Sequence, residues 1–269
     1  MTRLIAALWL VSNLAAGPAW AQPFPFNDAG VTMGHWHLNS RDVEASKKIF
    51  VGMGGTAMKP GDFEIVQFPD VIVNLHLRPG AAPSTGPTEG TVVNHVGFVV
   101  QNVQESVARW KAAGVPVLAG NNSRLDQAYV VTPDGLRIEI LEDKTQKYPI
   151  QHEHVHLFLP EAAIPQAQAW YAKTFGAKPG VRNDAPVADV PGVQIRFAKT
   201  DKPMVTTKGR VLDHIGFDVK DLQAFIKKLE ADGIKLDRPY TKNEQTGDAL
   251  AFISDPWGTY IELNERRPR

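Results

Sequence analysis

The 269-residue sequence predicts an α+β fold made of four βαβββ units arranged in two pairs. Three observations carry that prediction. The stretch Leu212-Asp213-His214-Ile215-Gly216-Phe217-Asp218-Val219 alternates polar and apolar residues, as a strand with one buried face does. It recurs as Val93-Asn94-His95-Val96-Gly97-Phe98-Val99-Val100, and more loosely as Gly34-His35-Trp36-His37-Leu38 and Glu153-His154-Val155-His156-Leu157. The four histidines also keep register. His95 follows His35 by 60 residues and His214 follows His154 by 60, while the two pairs are offset by 119. Internal duplication accounts for that spacing.

The chain opens with a basic Met1-Thr2-Arg3, an apolar run from Leu4 to Ala16 and a small-x-small Ala19-Trp20-Ala21. This is the pattern of a secretory leader over residues 1–21 cut before Gln22, and it predicts a secreted or periplasmic protein. The run is short for a membrane span and no basic stop-transfer cluster follows it. Loss of Arg3 with the leader leaves a net charge of about −1 from 29 basic and 29 acidic residues. A neutral chain without a basic cluster gives no electrostatic reason to expect nucleic acid or anionic membrane as partner. Zero cysteines exclude a disulfide framework, thiol catalysis and Cys-ligated metal. Nothing in the sequence selects between a monomer and a homodimer.

In unit one the strand at His35 is followed by a helix from Asp42 to Met53, ended by Gly54-Gly55, and by short strands near Phe63–Phe68 and Val71–Leu77. Pro79 to Thr91 reads as a linker. Unit two has a helix over Val103–Ala113, a stop at Gly114 and a closing strand through Ile138-Glu139-Ile140. Unit three has a helix from Ile164 to Phe175 closed by Gly176. Unit four has a helix over Leu222–Ala231, a stop at Gly233 and a final strand Tyr260–Asn264. The polar Asp143–Tyr148 joint is the expected boundary between a first module at 33–142 and a second at 150–265.

Residues two apart on a strand share a face. Ile215, Phe217 and Val219 must then cover helices, which leaves His214 and Gly216 on the concave side; Val96, Phe98 and Val100 oppose His95 and Gly97 in the same way. Glu139 and Glu262 follow matching turns, Thr132-Pro133-Asp134-Gly135 and Asp255-Pro256-Trp257-Gly258, and face the same side. A carboxylate inside a curved sheet is costly unless it is paired or holds a metal. Imidazoles and a carboxylate converging from separate strands suit a divalent ion with open positions. By strand parity His37, His152, His156 and His76 face the cups, as wall residues in preference to substitute ligands or donors to a ligand, and Trp36, Trp110 and Trp170 are packing residues in preference to a stacking platform.

Asp213-His214-Ile215-Gly216, Asn94-His95-Val96-Gly97, Trp170-Tyr171 with Phe175-Gly176, and the two endings in Ile-Glu resemble the vicinal oxygen chelate superfamily. That superfamily groups glyoxalase I, bleomycin-resistance proteins, methylmalonyl-CoA epimerase and type I extradiol dioxygenases. The resemblance covers residues 33–265 and implies two tandem modules, each a curved eight-stranded mixed-sheet cup with helices outside. It implies metal ligands His35, His95 and Glu139 in the first module and His154, His214 and Glu262 in the second. The remaining cup position falls near Asn74 and Arg196. Glyoxalase I-like sites carry a glutamate or glutamine there, and Arg196 cannot ligate; as a catalytic candidate it is either a clamp for a substrate carboxylate or the partner of a nearby acid. Extradiol-like sites want an acid/base His and a Tyr ahead of the glutamate. Tyr129 fills the second role in the first module, whereas Phe252 and Asn243 stand at those positions in the second and residues 121–123 contain no His. The implied function is a dioxygenase-like enzyme acting on a small chelating oxygen compound, with Fe2+ favoured over Mn2+, Zn2+ or Ni2+. The alternatives are a ligand-sequestering protein of the bleomycin-resistance type, and a glyoxalase- or epimerase-like lyase or isomerase.

Overall fold

The computed structural model describes residues 24–75 and 83–265; the leader and His76 lie outside them. Unit one comprises β1 (Val31–Leu38), α1 (Val43–Gly52), β2 (Thr56–Met58), β3 (Ile65–Gln67) and β4 (Ile72–Asn74). Unit two comprises β5 (Val93–Val100), α2 (Val103–Ala112), β6 (Val117–Ala119), β7 (Gln127–Val131) and β8 (Arg137–Glu142). Unit three comprises β9 (Ile150–Leu159), α3 (Ile164–Phe175), β10 (Lys178–Arg182), β11 (Ala185–Val190) and β12 (Val193–Lys199). Unit four comprises β13 (Leu212–Val219), α4 (Leu222–Ala231), β14 (Arg238–Lys242), β15 (Ala249–Ser254) and β16 (Tyr260–Glu265).

Local chemistry sets the helix ends. Asp42, Asn102 and Asp221 each accept a hydrogen bond from a first-turn N–H of α1, α2 and α4, as N-cap residues do. Gly176 ends α3 in the left-handed conformation, φ 65°, which a side chain would resist.

The four units form two open eight-stranded mixed sheets, as expected, but the units combine differently. One sheet runs β10-β11-β12-β9-β5-β8-β7-β6 and joins units two and three; the other runs β14-β15-β16-β13-β1-β4-β3-β2 and joins units one and four. We refer to these as the inner and outer cups, after their place in the sequence. The expectation that consecutive units 33–142 and 150–265 each close one cup is corrected by this order, and the Asp143–Tyr148 joint lies within the inner cup. Connection length supplies the reason. Only the seven residues 143–149 separate β8 from β9, enough to hop across the end of β5 within one sheet, whereas 75–92 and 200–211 are long enough to change sheets.

The convex faces share one apolar core. Trp36 of β1 packs edge-on against Phe98 of β5 at 5.2 Å and against His152 of β9 at 4.8 Å, and Phe175 of α3 lies 4.7 Å from Phe217 of β13. Trp36 and Trp110 are buried packing residues, as expected. Asp70, in the turn before β4, reaches across from unit one and accepts the His152 backbone N–H at 3.0 Å. Burial raises its carboxyl pKa to about 7, against the opposing pull of that N–H. A pKa raised by folding stabilises below the unfolded value and loses that contribution as pH rises through the folded one. Asp70→Asn should therefore gain thermal stability relative to the wild type between pH 4 and pH 8. A difference in Tm that stays flat across that range would contradict the assignment.

Candidate metal centres

Four β-bulges shape the two sites. The β5–β9 register skips Asn94 and Glu153, and the β1–β13 register skips Gly34 and Asp213. Each skipped residue immediately precedes a predicted ligand histidine. A bulge turns two neighbouring residues towards one side of the strand, so the residue before the histidine can bond its ring, which a regular pleat forbids. Asn94 Oδ1 accepts from His95 Nδ1 at 2.9 Å, Asp213 Oδ1 accepts from His214 Nδ1 at 2.7 Å, and the Glu153 carboxylate accepts from His154 Nδ1. These partners place a proton on Nδ1 of each ring and turn Nε2 towards the cup.

In the inner cup His95 Nε2 and His154 Nε2 each lie 3.2 Å from Glu139 Oε2. His156 Nδ1 stands 3.1 Å from His95 Nε2. His154 is fully buried, and its Nε2 makes no hydrogen bond of acceptable geometry despite its closeness to the carboxylate. Two imidazole nitrogens and an ionised carboxylate oxygen thus converge in a buried site. Donors each about 2.1 Å from a common ion stand roughly 3.0 to 3.4 Å apart, so the spacing and chemistry of this set fit a divalent metal. The other oxygen, Oε1, is held by Tyr129 Oη at 3.1 Å and by the Gln127 amide. Tyr129 Oη accepts in turn from Asn121 Nδ2 at 2.9 Å.

Electrostatics follows from this crowding. Burial pushes the Glu139 carboxyl up, but the His154 and His95 imidazoles outweigh it and hold the group well below the usual carboxylate range. Burial pulls His95 down, with Glu139 opposing. At His154 burial also pulls down, yet Glu139 and Glu153 win and raise it. His156 is held well below its ordinary value, first by burial and then by His95 and His154. Burial raises the Tyr129 phenol, which keeps its proton at neutral pH.

The outer cup repeats the frame with different walls. His35, His37 and His214 form a buried cluster, with His37 stacked on His214 at 4.5 Å. His214 Nε2 is 2.8 Å and His35 Nε2 3.9 Å from Glu262 Oε2. Phe252 faces Glu262 across the strands where Tyr129 faces Glu139, and Leu250 stands where Gln127 does.

All six predicted ligands therefore lie in clusters, but the sets are redistributed. His95 and Glu139 meet His154, not His35; His214 and Glu262 meet His35, not His154. His37 and His156, read from sequence as walls, stand among the donors. His152 does not line a cup: the bulge at Glu153 reverses its parity, and its ring lies in the shared core. Arg196, opposite His156, gives its guanidinium to Glu153 and to Gln194 Oε1 at 3.2 Å, and so is the partner of a nearby acid. Asn74 holds the equivalent place opposite His37. The polar residue before three of the histidines was the available signal for their orienting partners.

Gly97 and Gly216, placed on the concave side from sequence, have a role that strand parity did not reveal. Gly97 pairs with His154, and a Cβ built on it would lie 2.0 Å from the ring; Gly216 pairs with His35, with the same 2.0 Å clash. Neither ring could occupy its place beside any other residue.

Residues 153–263 match the sequence model of the Glyoxalase/Bleomycin resistance protein/Dioxygenase superfamily. The matched segment, 111 of the 269 residues, comprises nearly all of units three and four and is similar to that superfamily, the vicinal oxygen chelate group. The vicinal oxygen chelate fold extends over both cups. Glyoxalase I from Zea mays is similar, with 14% identity and a TM-score of 0.66 over 87% of this chain and 92% of that one. A candidate dioxygenase from Bacillus subtilis is also similar, with 16% identity and a TM-score of 0.63 over 92% of this chain and 87% of that one. At such identities the likeness concerns the fold alone. No curated protein sequence matches the chain. Among the described residues no helix is long and apolar enough to cross a membrane.

Gly97→Ala should empty the inner cup of metal while leaving the outer one loaded, and Gly216→Ala the reverse. Metal counted per folded chain, with circular dichroism as the folding control, tests this. A Gly97→Ala protein with undiminished metal would refute the steric account.

Proposed function

We propose that the chain is an exported mononuclear metalloenzyme whose inner cup binds a small chelating oxygen compound and treats it in a dioxygenase-like way. The observation that carries this reading is the buried convergence of His95 Nε2, His154 Nε2 and Glu139 Oε2. Those residues would hold a divalent ion, Fe2+ in preference to Mn2+, Zn2+ or Ni2+, which would supply Lewis acidity and a route for electrons to dioxygen.

The surrounding residues have definable tasks. Asn94 and Glu153 fix the two ring orientations, and Arg196 neutralises Glu153 so that its charge stays local. Gln127 and Tyr129 occupy Glu139 Oε1 and so leave Oε2 for the metal. Tyr129 keeps its proton at neutral pH, which maintains its hydrogen bond to Glu139 Oε1 beside the ligand set. One observation favours a second reading. If His156 Nδ1 serves as a fourth donor, a six-coordinate ion keeps two positions, enough for a chelating substrate but not for dioxygen as well. That count suits a Lewis-acid lyase or isomerase.

Elemental analysis of anaerobically purified protein, joined to an oxygen electrode, separates these outcomes. His95→Ala should lose the inner ion and His214→Ala the outer one. Undiminished metal in both variants would end the assignment. Iron with oxygen uptake on chelating substrates supports the oxygenase, and zinc, nickel or manganese without uptake supports the Lewis-acid enzyme. A mature N-terminus at Gln22, read by mass spectrometry, is the expected mark of export.

A further inference from the structure

Arg137 is a charge in the inner cup that the ligand frame does not consume. It begins β8 two residues before Glu139, so the two side chains share the concave face. Its guanidinium carbon lies 4.1 Å from the centroid of the Tyr129 ring, and the hydroxyl of that ring is 3.1 Å from Glu139 Oε1. Among the described residues no acid stands within ion-pair distance of Arg137, although its side chain is half-buried. Glu139 is already engaged by two imidazoles, an amide and a phenol. Arg196, the other guanidinium on this face, is satisfied by Glu153.

A half-buried cation without a counter-charge carries a desolvation cost that an incoming anion would relieve. Guanidinium offers five N–H donors in a fork that matches a carboxylate, and stacking on an aromatic ring is compatible with that use. We infer that Arg137 is the recognition residue for a carboxylate on the substrate, so that the inner cup takes a chelating oxygen compound that also carries a carboxylate. The chelating end meets the His95–His154–Glu139 set, the carboxylate meets Arg137, and Tyr129 lies between them. The outer cup is built for something else. Tyr260 takes the place of Arg137 there and stacks on Phe252 at 4.9 Å, which leaves two aromatic rings where the inner cup has a phenol and a cation. The inference rests on the inner cup being a chelating centre.

The test uses zinc-loaded full-length mature protein, which binds without oxidising, and isothermal calorimetry with catechol and with 3,4-dihydroxybenzoate. In the wild type the carboxylate should raise affinity roughly ten- to hundredfold, as a charge-assisted pair does. Arg137→Gln should remove that difference and leave catechol binding unchanged, and Arg137→Lys should retain part of it and serve as the control for folding. Equal affinities in the wild type, failure of both probes to bind, or a preference that survives in Arg137→Gln would overturn the proposal. Binding of 3,4-dihydroxybenzoate to metal-free protein that still depends on Arg137 would sustain the anion subsite while removing the chelating role of the cup.

Discussion

Two contacts between a glycine and an imidazole set the terms for everything else. His154 can stand in the inner cup only because Gly97 across the strand pair has no side chain, and His35 depends on Gly216 in the same way. Each His-x-Gly triplet therefore does two things at once. Its histidine is a donor, and its glycine makes room for the donor of the partner unit. Neither unit of a pair can complete a site by itself, and the constraint is steric rather than energetic in origin: a ring cannot share space with a methyl group.

Around that constraint the bulges give each site its electronic character. In a regular strand Asp213 and His214 would point to opposite faces. The extra residue brings both to the concave side, so that an acid or amide fixes the proton on the far nitrogen of the ring. His95, His154 and His214 share this device, with Asn94, Glu153 and Asp213 as partners. The ring nitrogens turned to the cup then meet Glu139 and Glu262, a donor set suited to a divalent cation.

Much of this was legible in the residues. The repeat register fixed four equivalent strands, the stop glycines bounded the helices, and α3 spans Ile164–Phe175 as the sequence suggests. All six proposed ligands were visible as polar residues recurring at equivalent positions on the concave phase of the strands. The pairing of units was not visible in the strands themselves, because four near-copies offer equivalent edges and any two could have paired. The short connection of seven residues after Glu142, read from sequence as a boundary, instead joins β8 to β9 within one sheet. His152 was misplaced, and His37 and His156 undervalued, because period-two reasoning assumes an unbroken pleat. Arg137 and Arg196 look alike in sequence; only the position of Glu153 distinguishes the occupied guanidinium from the available one.

The nesting of the cups has a consequence for how the protein comes into being. The inner cup is complete within one continuous run, from β5 to β12, and its contacts are comparatively local. The outer cup joins the first quarter of the chain to the last, so β1 must wait for β13 to be synthesised before it has a neighbour on that edge. Long-range pairings of this kind are slow to form and leave an edge exposed meanwhile. On the ribosome one centre can assemble early around residues already at hand, and the other closes last, over a half-molecule that is already folded.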